Sequence, residues 1–162
     1  MGSRIDYMKA VPGAGDALLR ISQYVHGCGL EESLLGLVCL RASQINRCAF
    51  CIDMHWKDLR AFGQSEETLY MLDAWRESPH YTERERAALA WTEAVTLVTE
   101  GHVPDEVYAA ARIQFSDAEL TNLTLAIAVI NSWNRMNVAF RTPSGHYRAP
   151  ARANQDRVPV EA

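Results

Sequence analysis

Residues 48 to 63 read CAFCIDMHWKDLRAFG, and the fold of the chain turns on how that stretch is read. The polar Gln44, Asn46 and Arg47 stand before it, and Gly63 closes it where a left-handed residue ends a helix. The stretch reads as one helix with two thiols at its N-terminus. At about 100° per residue, Cys48, Cys51 and His55 fall within roughly 60° of one another, so the three side chains share a face.

Working outward, EESLLGLVCLRASQIN at 31 to 46 puts Leu34, Leu37, Val38 and Leu40 on a wide apolar face. Gly36 stands inside that helix despite a cost of about 1 kcal/mol relative to Ala. Earlier, Leu18, Leu19, Ile21 and Val25 predict a short first helix from Asp16, stopped by HGCG at 26 to 29. Later, Ser65 opens a helix through Leu69, Met71, Leu72 and Trp75, which runs out before Pro79. Thr82 with Glu85 makes a capping box for a long helix carrying Ala88, Leu89, Trp91, Val95 and Val98, ended by Gly101. Pro104 is expected in the first turn of a helix through Ile113, and Ser116 with Glu119 caps a final helix to about Arg141. Nothing reads as a strand. The expectation is an all-α, compact multi-helix domain of about six to seven helices over residues 1–141. The polar, proline-containing segment 142–162 is expected to be a tail, mobile or draped on a partner subunit.

With 162 residues, 48% of them hydrophobic, the chain can bury one good core. A net charge of -4 without a basic block argues against nucleic acid and against an anionic membrane surface. No run approaches the roughly 18 to 20 apolar residues of a membrane span, and no basic flank leads into an apolar leader, so a cytoplasmic chain is expected. Four cysteines, at 28, 39, 48 and 51, are too few and too uneven for a disulfide-stapled secreted module. The run LTLAIAVI at 123 to 130 makes the last helix apolar on most sides, which points to burial against a second copy of the chain.

Three kinds of chemistry fit the CxxC and its histidine. A helix N-terminus favours a thiolate, and His55 lies four residues past Cys51 where an imidazole accepts a thiol proton, so Cys51 is the candidate nucleophile and Cys48 the resolving thiol. A zinc site needs four ligands, and only Cys39 or His26 could complete one from elsewhere. Two thiols that merely pack as small hydrophobes are the third reading. His26, His80, His102 and His146 read as solvated loop residues, while Glu93 is an acid set among apolar turns.

The run LRASQINRCAFCIDMHWKDLRAFG at 40 to 63, with AWRESPHYTERERAALAWTEAVT at 74 to 96, resembles the alkylhydroperoxidase D-like (AhpD-like) branch of the carboxymuconolactone decarboxylase family over about residues 5 to 140. The resemblance implies an all-helical homo-oligomer, trimer or hexamer, and peroxiredoxin-type reduction of a small-molecule peroxide without metal, flavin or haem. The thiol at Cys51 attacks the peroxide, Cys48 closes a disulfide, and an external dithiol, lipoyl-type or thioredoxin-like, restores both. Two relay positions of the family differ: a glutamate twelve residues before the first cysteine is Gly36, and a histidine between the cysteines is Phe50. Either the activity is weak or another group carries the proton: the space that Gly36 leaves can admit water or a replacement such as Glu93, although pairing of Glu93 with a neighbouring arginine is the favoured reading of that acid. The alternative is a non-catalytic redox-responsive or assembly protein of the same fold. Lactone decarboxylation is disfavoured because it has no need of a CxxC.

Overall fold

The computed structural model describes residues 2–150. Eight α-helices follow in order: α1 (Tyr7–Ala10), α2 (Pro12–His26), α3 (Glu32–Ile45), α4 (Ala49–Ala61), α5 (Glu66–Tyr70), α6 (Glu83–Thr96), α7 (Asp105–Gln114) and α8 (Asp117–Phe140). A single 3₁₀ turn, Leu72–Ala74, follows α5, and no strand occurs among the described residues. The all-α expectation holds.

Helix α3 is the hub, packed against α4, α6 and α8. Its Leu37, Val38 and Leu40 are at most 1% exposed, so both sides of the helix are covered. One core cluster lies between α3, α6, α7 and α8 around Leu35, Ala88, Phe115 and Ile127; a second joins α3 and α4 to the region after α5 through Leu40, Leu59, Leu69 and Leu72. Both predicted capping boxes form, with Glu85 accepting from the Thr82 N–H and Glu119 from the Ser116 N–H, each at 2.8 Å. Each satisfies donors that a helix start otherwise leaves open.

Several boundaries differ from the sequence reading. The first long helix starts at Pro12, not Asp16, because proline is preorganised for the first helical turn, and a further short helix, α1, is capped by Asp6. The Ser65 helix breaks after Tyr70 into the 3₁₀ turn, a geometry that stacks residues three apart and keeps Leu69, Leu72 and Trp75 all buried. Helix α6 ends at Thr96 among weak helix formers, short of Val98 and Gly101. Pro104 is the N-cap of α7, extended at ψ 144°, instead of its first-turn residue.

The apolar run of α8 finds most of its cover inside the chain. Leu123, Ala126, Ile127, Val129 and Ile130 are all buried, while Ala128 faces out. This run therefore does not by itself demand a neighbouring subunit. Beyond α8, the chain lies along α4: the Gly145 N–H donates to Asp53 at 3.0 Å, the Tyr147 hydroxyl to Asp58 at 2.7 Å, and Lys57 to the Tyr147 carbonyl at 3.2 Å. Residues 151–162 of the expected tail lie outside the described residues.

Candidate functional site

The turn from α3 into α4 is tight and pinned. Arg47 takes a left-handed φ of 55°, and the Cys48 N–H reaches back to the Ser43 carbonyl at 3.0 Å. The side-chain amide of Asn46 donates to Asn131 and Asn134 of α8, both at 2.9 Å. Cys48 is thereby the N-cap of α4, its sulfur accepting from the Cys51 N–H at 3.4 Å. Cys48 and Cys51 are paired as a disulfide, their Cα atoms 5.4 Å apart, and each residue is 1% exposed.

Cys51 faces a cavity of roughly 360 Å³ between α1, α2, α4 and α8. His55 and Phe50 line the same space, as do Cys39 of α3 and Asn137 of α8; Cys48 does not. The rest of the wall is largely apolar, with Leu19, Val25, Met54, Ile130 and Trp133. The structure thus brings two of the three predicted residues to one cavity and holds the third behind Cys51 as its disulfide partner.

Electrostatics in this pocket are set by burial. The Nε2 of His55 is sealed from solvent and has no hydrogen-bond partner. Desolvation, helped by His26, pushes its pKa down to about 4, so the ring is a neutral base at pH 7. Burial likewise pushes the Cys39 thiol up to about 12, which keeps it protonated. His26 is tied at 2.9 Å to Glu32, and no three His, Cys, Asp or Glu side chains converge on a metal position among the described residues.

The open space expected beside Gly36 is corrected, and of the two readings of Glu93 the pairing with arginine holds. The position opposite Gly36 is not open: a Cβ there would lie 2.6 Å from Cδ2 of Leu59, so Leu59 packs where a side chain would begin. Glu93 is not a substitute, since it does not line the cavity. Its carboxylate is bound by Arg41 at 2.8 Å, by Arg76 at 2.6 Å and by the indole N–H of Trp75 at 2.9 Å. Those partners outweigh its desolvation and hold its pKa below the ordinary glutamate value.

One contributor escaped the sequence reading. Asn137 is 5% exposed and its amide nitrogen donates to the Cys51 sulfur at 3.4 Å and to the Trp133 carbonyl at 3.0 Å. Its oxygen accepts from the Tyr7 hydroxyl at 3.1 Å. The available signal was NSWNRMN at 131 to 137, three asparagines three apart in an apolar helix. All three prove to be buried.

A model of the carboxymuconolactone decarboxylase family matches residues 12–94, a span that holds the CxxC, His55 and the positions of the altered relay. A protein of unknown function from Agrobacterium tumefaciens, proposed by its description as the antioxidant defence protein AhpD, superposes with a TM-score of 0.88 at 46% identity, over 90% of this chain and 100% of that one. The chain belongs to the carboxymuconolactone decarboxylase family, in its AhpD-like branch. Among curated relatives, the uncharacterized protein YdfG of Bacillus subtilis (strain 168) is 37% identical over 86% of this chain and 95% of its own length. The uncharacterized protein YnjA of Escherichia coli (strain K12) is 34% identical over 71% of this chain and 63% of its own. The debrominase Bmp8 shares the fold, with a TM-score of 0.75 at 19% identity over 86% of this chain and 75% of that one, so this family fold carries enzymes. Among the described residues no helix is long and apolar enough to cross a membrane.

Proposed function

We propose that this AhpD-like chain is a thiol-dependent peroxidase in which Cys51 is the nucleophile, Cys48 the resolving thiol and His55 the base. The observation that carries this reading is the placement of Cys51, paired with Cys48 on one side and open to the cavity it shares with His55 on the other. The Cys51 thiolate attacks the distal peroxide oxygen, the O–O bond breaks, and the leaving alkoxide takes a proton to become an alcohol. Cys51 is left as a sulfenic acid. Cys48 then displaces water from it to form the disulfide, and an external dithiol, lipoyl-type or thioredoxin-like, reduces that bond by exchange. Such a cycle suits the cytoplasm, where dithiols are kept reduced.

Proton transfer is the weak step. His55 is neutral and its Nε2 has no partner, but a buried imidazolium with a pKa near 4 gains no carboxylate, because none lines the cavity among the described residues. A slow peroxidase is the consequence. The same observation favours a second reading, a redox-responsive protein that senses oxidant without rapid turnover. We also propose a homo-oligomer, trimer or hexamer, supported now by exposed apolar side chains such as Ile113, Phe62 and Tyr24 instead of by α8.

The test is stoichiometric. Fully reduced protein treated with one equivalent of an organic hydroperoxide should lose two of its four thiols and yield one alcohol, and dihydrolipoamide should restore them. Cys51→Ser should abolish both events, whereas Cys48→Ser should trap a sulfenic acid. Formation of the disulfide without catalytic turnover supports the sensor; four surviving thiols and no alcohol remove both readings.

A further inference from the structure

Cys51 sits in a largely apolar wall. Among the described residues lining its cavity none is Asp, Glu, Lys or Arg, and the titratable ones are Tyr7, His26, Cys39 and His55. Burial keeps the Tyr7 phenol, like the Cys39 thiol, in its protonated form, and keeps the His55 ring neutral. The side-chain donor on the sulfur is the Asn137 amide, at 3.4 Å.

That amide cannot turn over freely. Its oxygen is engaged by the Tyr7 hydroxyl at 3.1 Å, and its nitrogen also serves the Trp133 carbonyl at 3.0 Å. A flipped amide would set oxygen against sulfur and against the Trp133 carbonyl, leaving the phenol without an acceptor; each of these is costly in a buried site.

We propose that Asn137 is a catalytic residue, its amide N–H holding the negative charge on the reduced Cys51 sulfur, and that Tyr7 is the positioning residue that fixes which side of the amide meets it. The inference rests on reading Cys51 as the nucleophile. When the Cys51 thiol gives its proton to His55, the charge left on sulfur meets the Asn137 N–H and the open N–H groups of the first turn of α4. In the disulfide the same N–H meets a neutral sulfur and the bond is weaker, so Asn137 favours the reduced pair. Asn137 lies outside the 12–94 span of the family match.

The experiment needs no peroxide. In a Cys48→Ser background, which keeps an N-cap oxygen on α4, Cys51 alkylation by iodoacetamide is followed against pH and mapped by mass spectrometry. Asn137→Ala should move the pH midpoint up by about one unit and slow alkylation at pH 7 by about tenfold. Asn137→Asp should be slower still, because it sets a charge against the thiolate. Tyr7→Phe, which removes only a hydroxyl, should slow the reaction about threefold. With Cys48 restored, the Asn137→Ala disulfide should be about tenfold harder to reduce, or about 30 mV more negative. A merely structural asparagine would lower stability and leave midpoint and potential alone. Should Asn137→Ala fail to fold, Tyr7→Phe decides, and unmoved midpoints in the folded variants overturn the proposal. An inactive peroxidase with these shifts present would sink the proposed function and not this inference; an active one without them would do the reverse.

Discussion

Replacing Gly36 by alanine sets two known effects against each other. In a helix interior the change returns about 1 kcal/mol of backbone propensity. Here the new methyl would sit 2.6 Å from Cδ2 and 3.1 Å from Cγ of Leu59, well inside the roughly 3.5 to 4.0 Å of ordinary carbon contact. Leu59 is 1% exposed and wedged in the cluster with Leu37, Leu40 and Leu72, so it can retreat only by disturbing neighbours. Overpacking of this kind costs about 1 to 3 kcal/mol, which leaves Gly36→Ala destabilised by about 1 kcal/mol net. Leu59→Ala alone should cost about 2 to 5 kcal/mol through the cavity it opens. The double variant should then be more stable than the sum of the two by about 1 to 2 kcal/mol, because the added methyl partly refills that cavity. Urea unfolding of the four proteins measures this directly. A Gly36→Ala protein stabilised by the full propensity value, with additive double-variant energetics, would refute the contact and reopen the position beside Gly36.

Two further outcomes are expected. Because burial depresses the His55 pKa from 6.5 to about 4, the unfolded chain binds more protons in that interval, so stability is complete above about pH 6.5 and falls as the pH drops towards 4. The loss should be on the order of 3 kcal/mol by denaturant unfolding and largely absent from His55→Leu; equal pH dependence in the two proteins would show that the ring is solvated. Light scattering at low micromolar concentration should report at least a dimer and, under the reading above, a trimer or hexamer; a clean monomer would leave Ile113 and Phe62 as unpartnered surface.

The parts of this molecule that can be read from its sequence are those governed by neighbours a few residues apart. Thr82 with Glu85 and Ser116 with Glu119 are local arrangements, and each has its expected form; the CxxC does start α4, but Cys48 is its extended N-cap, so only Cys51 and His55 of the expected three line the cavity. The break after Tyr70 was harder to see, since Leu69, Leu72 and Trp75 are spaced as well for a 3₁₀ turn as for a helix. Glu93 could not be placed, because an acid between apolar turns is equally compatible with facing a thiol or facing arginines. Arg41 lies 52 residues away from it in sequence, and only the α3 and α6 packing brings the two together. The same holds for Leu59 against Gly36, a contact between the facing sides of α3 and α4.

Those long-range contacts change what kind of site this is. A carboxylate near the thiols would stabilise an imidazolium and let His55 take the Cys51 proton at little cost; among the described residues no carboxylate lines the cavity, so protonating the ring leaves a buried cation without a partner. Under the proposed function the thiolate is then favoured at its own end, by dipoles aimed at sulfur. The first turn of α4 supplies some of these, and α8 supplies another through Asn137, held in place from α1 by Tyr7. Dipoles cost less to bury than ions, which fits an apolar cavity lined by Leu19, Val25, Ile130 and Trp133. On the proposal made for Asn137, reactivity then depends on α1, a helix of four residues whose Tyr7 closes the hydrogen-bond chain to Cys51.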